Sequence, residues 1–226
     1  MNLLFCINLI WLVPCSWIAC LVTRKKSFDE RWMYLHRWCL RMFRFMHVRL
    51  EVEMVEPLRE DISYQFVSNH QSFFDLFMLA GGLPVPFTFV SKKENQKVPY
   101  IASWSKNLEL IYFDREDQSS AIHMLRETTR RLKSGQNVLI FPEGTRSADN
   151  HMNEMHAGSI QPAFMAKCAI VPIVLKNSYN YKHLLRTGTP FKMYIGKPIP
   201  FEEFKPFKAD GMIDVLQKQM EAELEK

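Results

Sequence analysis

The sequence predicts an α/β fold with a mixed central sheet of about seven strands, flanked by helices and preceded by an N-terminal membrane-associated helical segment. Three observations lead to this prediction. Short apolar runs bounded by turn residues alternate with helical stretches along the chain, as in α/β proteins. A length of 226 residues, 47% of them hydrophobic, suffices for one sizeable core and excludes a disordered or fibrous protein. Residues 1–23 carry no charge.

The N-terminal apolar segment, residues 3–22, would form a helix about 30 Å long, roughly the thickness of the bilayer hydrocarbon core. It fits a secretory signal poorly, because no Lys or Arg precedes it. Arg24, Lys25 and Lys26 follow it instead, and the positive-inside rule keeps such a cluster in the cytoplasm. We therefore expect attachment to a membrane, with the rest of the chain on the cytoplasmic face. A spanning helix and a helix that enters one leaflet both fit the pattern.

A basic belt follows the apolar segment. Residues 24–49 contain eight Lys or Arg against two acidic residues, whereas the chain after residue 49 has a net charge of −1. Within the belt, residues 31–48 predict a helix with arginines on one face, which suits either an interfacial helix or a helix packed on the core. Because the cations adjoin the apolar segment and no recognition motif accompanies them, we expect the membrane bilayer as partner and no nucleic acid.

We divide the chain into an N-terminal membrane anchor, residues 1–47, and an α/β domain, residues 48–226. Val48–Met54 alternates between apolar and charged residues, which predicts a strand near a sheet edge. Six later apolar runs do not alternate and predict buried strands: Tyr64–Val67, Pro86–Val90, Leu108–Phe113, Asn137–Phe141, Ile170–Leu175 and Phe191–Ile195.

Helical periodicity is clearest in two stretches between and after these runs. Residues 118–133 have Asp117 as a predicted N-cap and Gly135 past the end. Residues 210–225 predict an amphipathic C-terminal helix.

The first group of residues suited to chemistry is Asn69-His70-Gln71-Ser72-Phe73-Phe74-Asp75, directly after a predicted strand. Sites in open α/β sheets form beyond the carboxyl ends of strands. Ser72-Phe73-Phe74-Asp75 predicts a capping box for a helix over residues 73–80 that closes on two glycines. His70 then lies in the loop before the helix. Asp75 either caps the helix only, or holds one imidazole nitrogen so that the other acts as a base.

The second group is Phe141-Pro142-Glu143-Gly144-Thr145-Arg146-Ser147, again at the end of a predicted strand. A glycine-containing turn here would present backbone N–H groups, a hydroxyl and a guanidinium together, which suits an anion and especially a phosphate. An ordinary polar turn with a surface Arg–Glu pair also fits these residues.

No strong nucleophile or metal site competes with this interpretation. The sequence has no Gly-x-Ser-x-Gly elbow and no Walker loop, and its five cysteines form no Cys-x-x-Cys pair. Without a covalent step, a histidine base beside an anion pocket would deprotonate a hydroxyl of a phosphate-bearing substrate, which then attacks an external electrophile.

Together the two motifs resemble those of the membrane glycerolipid acyltransferases, typified by bacterial 1-acyl-sn-glycerol-3-phosphate acyltransferase. That family has Asn-His-x4-Asp followed some seventy residues later by Glu-Gly-Thr-Arg, and here His70 and Glu143 are 73 residues apart. Three further segments are similar to family motifs: Ser91-Lys92-Lys93-Glu94, Tyr112-Phe113-Asp114-Arg115 and Val171-Pro172-Ile173-Val174.

The resemblance implies transfer of an acyl chain from acyl-CoA or acyl carrier protein to the 2-hydroxyl of lysophosphatidate, giving phosphatidate. It implies His70 as the general base and Asp75 as its orienter, with no metal or other cofactor. The residues that would hold the glycerol phosphate are Glu143, Gly144, Thr145 and Arg146, with Arg115 as a helper. One departure is Ala157, where the family usually has a basic residue before the glycine; protonated His156 could substitute.

Two alternatives stay open at this point. The chain could acylate another lysophospholipid or a lyso-aminolipid, since a guanidinium also tolerates a zwitterion. It could instead be a catalytically silent membrane lipid-binding protein that kept the fold.

Overall fold

The computed structural model describes residues 14–97, 99–114 and 116–226. Its strands are β1 (Leu50–Met54), β2 (Tyr64–Ser68), β3 (Phe87–Lys92), β4 (Ile111–Phe113), β5 (Asn137–Ile140), β6 (Ala169–Lys176) and β7 (Phe191–Ile195). They form one seven-stranded sheet in the order β1-β7-β6-β2-β5-β3-β4. All neighbouring strands are parallel except β6 and β7, which are antiparallel. The predicted mixed sheet is therefore confirmed, with β1 at an edge.

Helices cover both faces of this sheet. The described part of α1 spans residues 14–23, and the later helices are α2 (Phe28–Phe45), α3 (Asp75–Gly82), α4 (Pro99–Asn107), α5 (Gln118–Lys133), α6 (Gln161–Ala166), α7 (Tyr181–Thr187), α8 (Phe201–Phe204) and α9 (Lys208–Leu224). The N-cap predicted for α5 is confirmed, because the Asp117 side chain accepts from the backbone N–H of Ser119. Gly135 follows α5 with φ +86°, a conformation that suits glycine.

Helix α2 belongs to the core on one face. Trp32, Met42 and Phe43 are buried in a cluster with residues of α3 and the sheet, whereas the arginines of the opposite face are exposed. Of the two alternatives for this helix, packing on the core is therefore correct for its apolar face. The helix begins earlier than predicted because Ser27 and Glu30 form a capping box.

Most of the apolar segment predicted at residues 3–22 lies outside the described residues. None of the described helices combines the length and hydropathy needed to cross a bilayer. The membrane anchor over residues 1–47 stays a prediction.

Helix α3 differs from its prediction at both ends. It begins at Asp75, two residues later than predicted. Half of the predicted capping box is present, because the Asp75 carboxylate accepts from the backbone N–H of Ser72, whereas the Ser72 hydroxyl accepts from the N–H of Phe74 instead of that of Asp75. Its two glycines lie inside the helix because neighbours pack closely there: a Cβ on Gly81 would lie 2.7 Å from a ring carbon of Phe43. The glycines therefore serve close packing rather than helix termination.

Strand β4 is shorter than the predicted run from Leu108. Helix α4 continues to Asn107, and Glu109 then takes a left-handed conformation with φ 53°. The chain becomes extended only at Ile111.

Candidate active site

The two predicted polar loops lie side by side at the carboxyl ends of two central strands. The first follows β2 and the second follows β5, and these strands are parallel neighbours with Val67 opposite Ile140. Parallel neighbours end at the same edge, so both loops leave the sheet together. The fold therefore brings together two motifs that are far apart in sequence.

A histidine–carboxylate pair lies in the first loop. His70 Nδ1 is 2.7 Å from Asp75 Oδ2, and the Asp75 side chain is fully buried while 17% of the His70 side chain is exposed. An ionised carboxylate can only accept, so in the neutral imidazole Nδ1 carries the proton and Nε2 has a lone pair. The imidazole has the tautomer that a general base needs.

Asp75 also organises its own loop. Its Oδ2 accepts from the backbone N–H groups of Gln71 and Ser72, at 2.7 and 2.9 Å. The carboxylate lies in the first turn of α3, where the helix dipole favours negative charge. One side chain therefore both holds the loop before α3 and contacts His70.

The second loop forms hydrogen bonds with both the backbone N–H and the backbone carbonyl of His70. Glu143 Oε1 accepts from the His70 N–H at 2.7 Å, and the Ser147 N–H donates to the His70 carbonyl at 2.8 Å. The Phe141 ring stacks on the imidazole with centroids 4.1 Å apart. These contacts fix the position of the imidazole relative to the second loop.

Glu143 is buried, and its second oxygen accepts from the backbone N–H of Asn153 at 2.8 Å. Burial raises the pKa of this carboxyl to about 7, although both backbone hydrogen bonds oppose the rise. Among the described residues, Glu143 is not one of those that line the cavity beside His70, which is described below. The Glu143 carboxylate therefore binds backbone N–H groups, which differs from the contact with the glycerol phosphate that the family resemblance implies.

A cavity of about 840 Å³ opens beside His70. Its polar wall includes Gly144, Thr145 and Arg146, as predicted for an anion site, and also Lys92 and His156. Gly144 has φ 64°, which the turn requires. No Asp or Glu is among the described residues of the wall. The rest is largely apolar: Phe73, Leu76, Phe89, Val90, Phe113, Ala121, Ile122, Met124, Leu125 and Ile140.

Such a cavity suits an amphiphile with an anionic head. Cationic side chains, a glycine-containing turn and apolar side chains line one space, and His70 borders it. The remaining predicted site residue, Arg115, lies outside the described residues.

A family comparison agrees with this geometry. The family model described as Acyltransferase matches residues 49–176, more than half of the chain and both polar loops. The chain belongs to the Acyltransferase family. This membership agrees with the family resemblance inferred from the two motifs.

Individual relatives within the Acyltransferase family are similar over part of their length. A chloroplastic 1-acyl-sn-glycerol-3-phosphate acyltransferase of Arabidopsis thaliana is 34% identical over 128 residues, 56% of this chain and 36% of the relative. The 1-acyl-sn-glycerol-3-phosphate acyltransferase of Saccharomyces cerevisiae is 34% identical over 170 residues, 69% of this chain and 56% of the relative. The matches thus span between about a third and just over half of these relatives.

The fold is similar to a crystal structure as well. The 1-acyl-sn-glycerophosphate acyltransferase PlsC of Thermotoga maritima superposes with a TM-score of 0.78 at 21% identity, covering 98% of this chain and 92% of that one. At this identity the likeness establishes the fold.

Proposed function

We propose that this protein transfers an acyl chain from an acyl thioester to the 2-hydroxyl of lysophosphatidate, giving phosphatidate. The observation that carries the proposal is the His70–Asp75 pair at the wall of a cavity that is lined by both cationic and apolar side chains. Family membership supports acyl transfer as the reaction class. The activities named for the Arabidopsis thaliana and Saccharomyces cerevisiae relatives support the acceptor.

In the proposed reaction, His70 Nε2 removes the proton from the acceptor hydroxyl as its oxygen attacks the thioester carbonyl. The C–O bond forms, the C–S bond breaks, and the thiolate leaves with the proton from the imidazolium. Asp75 stabilises the imidazolium between these steps through Nδ1–H. A thioester is already activated, so the reaction needs the acyl-CoA or acyl carrier protein co-substrate and no metal or further cofactor.

The charge of the wall supports a phosphate-bearing acceptor. Arg146 and Lys92 line the cavity, and neither has an ion-pair partner within 4.0 Å in the part of the chain that the structure describes. A phosphate there would receive charge-assisted hydrogen bonds, with the planar guanidinium able to donate two. Gly144 and Thr145 complete the proposed headgroup site. Glu143 is a positioning residue, because it holds the backbone of His70.

The acceptor is a membrane lipid, so we also propose that the protein works on the bilayer surface, on the cytoplasmic side. The exposed side chains of α1 and of the turn after it support this: Trp17, Ile18 and Val22 are apolar, and the cationic Arg24, Lys25 and Lys26 follow them directly. Such a combination favours contact with anionic lipid.

A panel of donors and acceptors tests the proposal. Purified full-length protein in lipid vesicles would be given acyl-CoA or acyl carrier protein, each with lysophosphatidate, another lysophospholipid, a lyso-aminolipid or no acceptor. Lipid products would be measured by mass spectrometry, and phospholipase A2 would report whether the new chain is at position 2. We expect phosphatidate as the main product. Preference for a different acceptor, or no transfer by any pair, would overturn it.

A further inference from the structure

The end of β6 supports the catalytic loop from outside both motifs. The side-chain amide of Asn69 makes two hydrogen bonds with the backbone of Leu175, at 2.9 Å to its carbonyl and 2.8 Å from its N–H. Gln71 Oε1 accepts from the backbone N–H of Ser178 at 2.9 Å. Residues on both sides of His70 are thus fixed to a segment more than 100 positions later in the chain.

One side chain of this segment reaches the histidine–carboxylate pair itself. The Ser178 hydroxyl donates to Asp75 Oδ1, while the other oxygen, Oδ2, contacts His70 Nδ1. Ser178 is fully buried. Among the described residues, every other donor to this carboxylate comes from residues 70–72, so Ser178 is the contact that joins it to the rest of the fold.

Hydrogen-bond donors surround the Asp75 carboxylate. No Lys or Arg forms an ion pair with the carboxylate among the residues that the structure describes. The terminal torsion of an aspartate is broad and roughly two-fold, so packing alone defines its carboxylate plane weakly. Two hydroxyls donate to Oδ1, that of Ser178 and, at the longer distance of 3.2 Å, that of Ser72, and they favour the orientation in which Oδ2 faces the imidazole.

We propose that Ser178 is a positioning residue for acyl transfer, holding the Asp75 carboxylate in the plane that orients His70. The inference rests on the proposed function of the His70–Asp75 pair. It assigns to the segment after β6 a role that neither sequence motif contains. Ser178 acts through Asp75, because it does not line the cavity in the described part of the chain.

Replacement of Ser178 would separate this role from general stability. Ser178→Ala removes the donor, and we expect kcat to fall about ten- to hundredfold, because a displaced carboxylate no longer holds His70 in the orientation for proton transfer. The KM values for donor and acceptor should stay within about threefold of wild type, because the binding wall is unchanged. Ser178→Cys keeps a weak donor of similar size and should give an intermediate kcat.

The test combines kinetics with proton NMR of the His70 Nδ1–H in the full chain without substrate. Hydrogen-bonded Nδ1–H groups resonate far downfield, and we expect this signal to move upfield or broaden in Ser178→Ala. Ser105→Ala is the matched control, since Ser105 is a buried serine whose hydroxyl donates to the carbonyl of Ala102 in its own helix. It should keep the wild-type signal and kcat.

Three results would overturn the inference. These are a wild-type kcat and Nδ1–H signal in folded Ser178→Ala, a lowered melting temperature without a change in the signal, or a Ser178→Cys variant no better than Ser178→Ala. If the wild-type protein acylates none of the acceptors, the proposed function fails, and the NMR comparison still decides whether Ser178 orients the pair.

Discussion

Replacing Glu143 by Gln should change how the free energy of unfolding depends on pH. In the folded protein burial raises the pKa of Glu143 to about 7 from an ordinary value of 4.5. Between these values the folded chain binds more protons than the unfolded chain. The stabilising effect is therefore fully present below about pH 4.5 and is lost as the pH rises through about 7. With about 1.4 kcal/mol for each pKa unit, the loss is about 3 kcal/mol.

Glutamine keeps the shape of the side chain but cannot titrate. It also places an NH₂ group against one of two backbone N–H donors, that of His70 or that of Asn153, which costs about 1–3 kcal/mol. We therefore expect Glu143→Gln to be less stable than wild type at pH 5, and the difference to shrink or reverse by pH 8.

Urea unfolding of both proteins at several pH values between 5 and 8 would measure this difference. Other titrating groups occur in both chains, so their contributions largely cancel. A difference in the free energy of unfolding that is constant across this range would refute the argument that Glu143 is a buried carboxyl with a raised pKa.

Three further predictions concern charge. Arg146→Ala should raise KM for lysophosphatidate at least tenfold and leave KM for the acyl donor nearly unchanged, with Lys restoring part of the effect; equal changes in steady-state assays would indicate general loop damage. Asp75→Asn should lower both kcat and the melting temperature, since one carboxylate contacts His70 and two backbone N–H groups; full activity with only a lower melting temperature would leave Asp75 a structural role alone. Changing Arg37, Arg41 and Arg44 together to Gln should weaken sedimentation with anionic vesicles at low salt, about 1 kcal/mol for each cation, while binding to neutral vesicles stays the same; unchanged sedimentation would place the lipid contact elsewhere.

Much of the sheet could be predicted because buried strands consist of consecutive apolar residues, a pattern that is visible in the sequence. Strands such as Phe191–Ile195 are short apolar runs between turn residues, and their observed bounds agree with the prediction. The N-cap of α5 could be predicted because its hydrogen bond joins Asp117 to Ser119, two residues later in the sequence. The two motifs could be placed at strand ends for the same reason.

The errors and omissions come from contacts between distant residues. Helix α3 ends at Gly82, two residues later than predicted, and Gly82 packs against Met193 on β7, a neighbour that local sequence does not reveal. Ser178 carries no local signal either, since its importance depends on a hydrogen bond to a residue 103 positions earlier. Only the three-dimensional path of β6 brings it to the site.

The central claim is that His70 acts as the general base. The most direct measurement is kcat together with lysophosphatidate affinity for His70→Ala, beside His123→Ala as a control, because His123 is exposed on α5 and does not line the cavity. We predict that His70→Ala lowers kcat about 10²–10⁴-fold with Kd within about threefold of wild type, and that the control matches wild type. Wild-type turnover by His70→Ala, or a loss of affinity as large as the loss of rate, would contradict the account.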